Sequence, residues 1–199
     1  MNLLAHQLLS DDQAEIAVGN YIADAVKGKQ YLNYPIEIQK GILLHRRIDF
    51  WMDHHPISIE GMKRLRKDYH LYSTVIIDIF YDHFIAKNWQ IYHPLTLEEF
   101  TKRQYSILQQ FETIMPVRPK LMFNYMSKQN WLLHYQQLEG IKRALSGMTK
   151  RIKHNFILEN SMNILLENYQ NYEEEVTEFM RLTLIEKEIW KEEINALIS

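Results

Sequence analysis

The sequence predicts an all-α fold of six to nine helices, and three observations carry that prediction. Apolar residues recur at three- and four-residue spacing along most of the chain, the period of a helix rather than a strand. Turn-formers are few. There are 6 Gly and 5 Pro in 199 residues, roughly half of average usage, which argues against many short strands. The last 40 residues contain neither Gly nor Pro. With 46% hydrophobic residues the chain can bury a core.

The first predicted helix follows Ser10, with Ser10, Asp11 and Asp12 as its cap, and ends at Gly28. Pro35 opens a second, PIEIQKGILLHRRIDFWMD, because proline suits a first helical turn. It should stop near His54–Pro56, since the residue before proline is pushed out of helix. A third, basic helix covers about Ile59–Tyr69, and a fourth runs from Ser73 to about Trp89. Thr96 and Glu99 have the spacing of a capping box and start a fifth. Pro116 and Pro119 mark a break. Shorter helices are expected at about Lys128–Gln137 and Glu139–Ser146, with Gly147 as a stop, and one or two more in the tail. No repeat or linker divides the chain. The reading is one domain over 1–199, with 156–199 as a helical segment packed on it.

Composition excludes several functions. Cysteine is absent, so disulfides, thiolate metal sites and cysteine nucleophiles are out. The net charge of −2 gives no global attraction for nucleic acid. That near-neutrality is a cancellation. Residues 1–158 carry 20 Lys and Arg against 15 Asp and Glu, or +5, while 159–199 carry 3 against 10, or −7. No stretch approaches the roughly 18–20 apolar residues of a membrane span, and the start has no leader pattern, so a cytoplasmic protein is expected.

The chemistry concentrates early. His45, Asp49 and Asp53 recur at i, i+4 and i+8. Each step of four residues drifts only about 40°, so the three share a helix face. Asp78, Asp82 and His83 repeat the idea on another helix, among Ile77, Ile79, Phe80 and Phe84. Asp24 in YIADAV and His6 in LLAHQLL are further polar groups in apolar company. Buried carboxylates need partners or a metal, because an unpaired buried ion costs several kcal/mol. Two readings stay open. The acids can be salt-bridged to Arg46, Arg47 or Lys40, or imidazole and carboxylate together can hold Mn, Fe, Zn or Mg. Arginine forks at Arg46 and Arg47 match phosphate oxygens.

At these residues a family resemblance enters. MNLLAHQLLS, GNYIADAVKG, GILLHRRIDFWMDHHP, DIFYDHFIAKNW, NYMSKQNWLLHY and IKRALSGMTKR closely resemble the bacterial acyl carrier protein phosphodiesterase family over about residues 1–155. The resemblance implies an all-α, HD-type metal-dependent phosphohydrolase fold. It implies hydrolysis of the phosphodiester joining 4′-phosphopantetheine to a serine of holo-acyl carrier protein. It also implies a divalent metal, manganese first, with magnesium, iron or zinc as substitutes. Carried over position by position, the ligands are His6, Asp24, His45, Asp82 and His83. Asp49 and Asp78 are further ligands or orient histidines, either can take a proton from the attacking water, and Arg46 and Arg47 bind the phosphodiester. The carrier is acidic, so a basic surface is expected; Lys63, Arg64, Arg66 and Lys67 supply one, although such runs are also ordinary solvated faces. No nucleic-acid or membrane partner is expected. The alternative is an HD-type hydrolase of a nucleotide or another small phosphate ester.

Overall fold

The computed structural model describes residues 2–150, 152 and 156–198. Among them are eleven α-helices and six short 3-10 turns, and no strand. In order the helices are α1 (Leu3–Leu8), α2 (Ala14–Ile22), α3 (Ile36–His54), α4 (Pro56–Tyr69), α5 (Ser73–Lys87) and α6 (Leu97–Gln110). Then come α7 (Val117–Lys128), α8 (Trp131–His134), α9 (Leu138–Thr149), α10 (Met162–Glu167) and α11 (Tyr169–Ile198). The helices beyond the expected ones are α7 and the six-residue α1. So short a helix shows too few turns to register as a period.

Helix α5 is the core element. Ile76, Ile77, Ile79, Phe80, Tyr81, Phe84, Ile85 and Ala86 are all buried, so it is apolar around its circumference. Helices α1, α4, α9 and α11 pack around it. Helix α11 also runs across α3 and α4. Trp51 donates its indole N–H to Thr183 Oγ1 at 3.1 Å and meets the edge of Trp190. No helix among the described residues is long and apolar enough to cross a membrane.

Several boundaries differ from the sequence expectation: the first predicted helix ends at Ile22 rather than Gly28, and α4 begins at Pro56 rather than about Ile59. Ser10, Asp11 and Asp12 do not cap α2, which starts at Ala14 with Gln13 as N-cap. Asp11 (φ 51°) and Asp12 (φ 58°) instead form a left-handed turn, a conformation Asp tolerates better than most residues. Both are held in it. Asp11 accepts hydrogen bonds from Lys187 and, at 2.8 Å, from Lys191, while Asp12 accepts from Arg103 at 3.0 Å. The expected break is present between α6 and Pro116, the N-cap of α7, but Pro119 lies in the first turn of α7, where the N–H groups have no intrahelical partner to lose. Gly147 lies inside α9 rather than ending it.

Candidate metal centre

The site is built where α2 and α3 cross. A Cβ on Gly19 would fall 2.2 Å from the Ile38 carbonyl oxygen, and one on Gly41 would fall 2.2 Å from that of Ile16. Only glycine allows this approach, and it places Asn20, beside Gly19, against His45, one turn after Gly41.

Helix α1 adds the third piece. Asp82 on α5 accepts the main-chain N–H groups of Leu4 (2.8 Å) and Ala5 (3.0 Å), which leaves neither carboxylate oxygen idle. A carboxylate at a helix N-terminus satisfies orphan donors and opposes the positive end of the dipole. Burial pushes Asp82 up to about 7, against those two hydrogen bonds. With α1 seated, Ser10 Oγ and Asn20 Nδ2 both donate to the His6 carbonyl at 2.9 Å.

Asn20 then decides the state of two histidines. Its Nδ2 also donates to Ser10 Oγ at 3.1 Å, which fixes the amide orientation. Its Oδ1 therefore accepts, at 2.7 Å from His6 Nδ1 and at 3.1 Å from His45 Nδ1. Each Nδ1 must carry a proton, so each neutral ring presents a lone pair at Nε2. The rings stack with centroids 4.1 Å apart. Both Nε2 atoms face Asp49, His6 at 3.1 Å and His45 at 3.0 Å. The His45 contact is close but not aligned as a hydrogen bond, and His45 Nε2 is buried without a bonded partner. Asp24 stands 3.6 Å from the same nitrogen.

Electrostatics sharpen this arrangement. Burial pushes His6 down to about 4, and the neighbouring His45 adds to it. Burial also pulls His45 down, but Asp24 and Asp49 outweigh it and raise it to about 9. Burial raises Asp49, yet His45 and His6 hold it well below the usual carboxylate range. Asp24 is lowered by His45. The cluster thus carries one proton beyond the two Nδ1 protons, on His45, facing two carboxylates. Two neutral imidazoles and two carboxylates balance a dication, and the donor set of nitrogen and oxygen suits one. His6, His45 and Asp49 each offer a ligand atom within 4.8 Å of the others.

The other expected site residues fall elsewhere. Asp82 and His83 are not in that group. Asp82 is occupied by α1. His83 Nδ1 donates to the Tyr135 carbonyl at 2.8 Å, so its Nε2 accepts from the Tyr169 hydroxyl at 2.8 Å. Asp53 is exposed on the last turns of α3. Asp78 is pushed up to about 6 by burial, with Asp49 and Asp53 adding to it. Arg46 commits its Nη2 to the carbonyls of Val26 (3.0 Å) and Gly28 (2.9 Å) and lies over Tyr31. That contact holds the segment after Asp24 against α3. Arg47 pairs with Glu193 at 2.8 Å. On α4, Lys63 pairs with Glu60, Arg64 makes a two-pronged pair with Glu175, and Arg66 and Lys67 are exposed.

Asn20 is the residue that the sequence analysis missed. Its signal was present: an amide, a poor helix former, in the middle of the apolar run AEIAVGNYI.

Comparisons with known proteins bear on this site. The profile of the family described as acyl carrier protein phosphodiesterase matches residues 1–183. A Yersinia pestis protein named acyl carrier protein phosphodiesterase is 32% identical over 175 residues, 87% of this chain and 91% of its own length. Proteins of the same name from Klebsiella pneumoniae (strain 342) and Enterobacter sp. (strain 638) are 33% and 31% identical, covering 87% and 90% of this chain and 90% and 93% of their own. No solved structure matches the chain.

Proposed function

The chain belongs to the acyl carrier protein phosphodiesterase family, and from that premise we propose that it hydrolyses the phosphodiester between 4′-phosphopantetheine and a serine of acyl carrier protein, releasing the apo-carrier. His6, His45, Asp49 and Asp24 would hold a divalent cation, with manganese the reading the family resemblance supplies. The observation that carries this is the pair of Nε2 atoms turned on Asp49 because one Asn20 oxygen faces both Nδ1 atoms. A cation bound there supplies Lewis acidity toward a phosphoryl oxygen and toward water. The chain's own residues do the rest. Asn20 keeps both histidines in one tautomer, a role that in metal sites typically changes affinity by about 10–100-fold when removed. Arg46 keeps Asp24 beside His45.

Mass spectrometry of holo-carrier protein incubated with the enzyme and Mn²⁺ tests this. Loss of the phosphopantetheine mass is expected. Cleavage of free nucleotide esters with the holo-carrier left intact would instead select the small-ester hydrolase.

Metal binding should also be linked to protons. The metal-free centre holds one proton on His45 up to about pH 9, whereas His6 is already neutral above about pH 4. An ion must displace that proton, so apparent Mn²⁺ affinity should rise about tenfold per pH unit between pH 6 and 9. Calorimetry in buffers of different ionisation enthalpy should find about one proton released per ion. Zero release at pH 7 would mean that His45 is not a ligand.

A further inference from the structure

We infer that the outer face of α7 is the docking surface for the carrier protein, and that it takes an acidic, amphipathic helix. This rests on the substrate reading above and adds where that substrate binds.

The argument begins with exposure. Val117, Leu121 and Tyr125 are 76%, 56% and 61% exposed. They are spaced by four residues, so they form one stripe along the helix. The opposite side is already used: Pro119, Phe123 and Met126 are buried. Scattered apolar residues on a surface need no explanation, but a continuous stripe on one helix is an interaction face.

Charge identifies the occupant. Between Thr113 and Leu138 there is no Asp or Glu, while Arg118, Lys120 and Lys128 are all basic. From 113 to 158 the chain has 8 Lys and Arg against Glu139 alone, so this stretch holds the positive excess of the body. Lys120 lies 3.5 Å from Glu112. Arg118 and Lys128 are exposed, and among the described residues no ion pair engages them. An apolar stripe between unneutralised cations fits an acidic amphipathic helix laid along it.

Two other faces fit worse. Lys63 and Arg64 on α4 are neutralised by Glu60 and Glu175, and the exposed positions of that helix from Glu60 to Asp68 carry no apolar side chain. On α11, Ile185 and Ile189 are exposed but flanked by Glu186, Glu188 and Glu192, which would repel an acidic partner. Helix α7 is also joined to the site's frame. The Tyr21 hydroxyl on α2, beside Asn20, donates to the Pro119 carbonyl at 2.9 Å.

The test compares wild-type with Leu121→Glu and Val117→Glu. Circular dichroism and Mn²⁺-dependent hydrolysis of bis(p-nitrophenyl) phosphate check that fold and centre are intact. The expected result is a KM for holo-carrier protein raised at least about tenfold, with kcat within about twofold of wild-type, because each change adds a like charge and removes an apolar contact. An unchanged KM overturns the proposal. So does light scattering that finds a wild-type dimer dissociated by Leu121→Glu, since the stripe would then be a self-interface. If the wild-type leaves the holo-carrier uncleaved, the substrate reading fails by itself. Calorimetry with apo-carrier protein then decides the surface: binding by wild-type that Leu121→Glu abolishes supports it, and equal binding or none overturns it.

Discussion

Asp49→Asn is expected to abolish phosphodiester hydrolysis while leaving the fold intact. Asp49 is the carboxylate that both buried imidazole Nε2 atoms face, at 3.1 and 3.0 Å. The amide is nearly the same size, so packing in α3 survives. It replaces an anionic oxygen with a neutral group and points an N–H at one of the lone pairs. Bound metal contributes several kcal/mol of transition-state charge stabilisation, so its loss should lower kcat/KM by about a thousandfold or more. Atomic absorption on the purified variant should find the metal reduced together with activity. A variant that keeps its metal and stays within tenfold of wild-type would remove Asp49 from the centre. The variant should not melt much earlier, since about two-fifths of the Asp49 side chain already faces solvent.

Gly41→Ala should force α2 and α3 apart at the centre. Its Cβ would fall 2.2 Å from the Ile16 carbonyl oxygen and 2.9 Å from the Asn20 nitrogen, both on α2 backbone. Backbone cannot swing aside as a side chain can, so the two helices must part. Overpacking of this kind costs about 1–3 kcal/mol, which in a chain of this size lowers the melting temperature by roughly 2–4 °C per kcal/mol. The functional loss should exceed the stability loss. Parting α2 from α3 moves Asn20 away from His45 and frees both imidazoles to change tautomer, so Mn²⁺ affinity should fall at least about tenfold. Thermal melts and metal titration on the same sample separate the two effects. Unchanged values of both would mean that the helices do not pass this closely.

Much of this was legible before any coordinates. Pro35 and the three-four period located α3 to within a residue, because its start is local chemistry. The i, i+4 spacing of His45 and Asp49 placed both on one face, as helix geometry requires. What escaped were decisions made by distant parts of the chain. Helix α1 is too short to persist alone, and it is capped by Asp82, 78 positions away. The same fact explains why Asp82 looked like a ligand. A buried carboxylate demands partners, and sequence does not distinguish a cation from two main-chain N–H groups. His83 is similar: a carbonyl and a hydroxyl satisfy it. Asn20 escaped because it ties together histidines from two other helices, a relation that no spacing within α2 encodes.

The turn at Asp11 ties the centre to biosynthesis. The turn that follows His6 is clamped at Asp11 by Lys187, which is made 176 positions later. At 5–20 residues per second that interval is roughly 10–35 s of translation. Until α11 is made, a nascent chain carries His6, Asn20, His45 and Asp49 without the clamp that seats the first of them. The order of synthesis therefore delays completion of the centre until α11 has been made, and a ribosome stalled before residue 187 would display every donor with the turn at Asp11 unclamped.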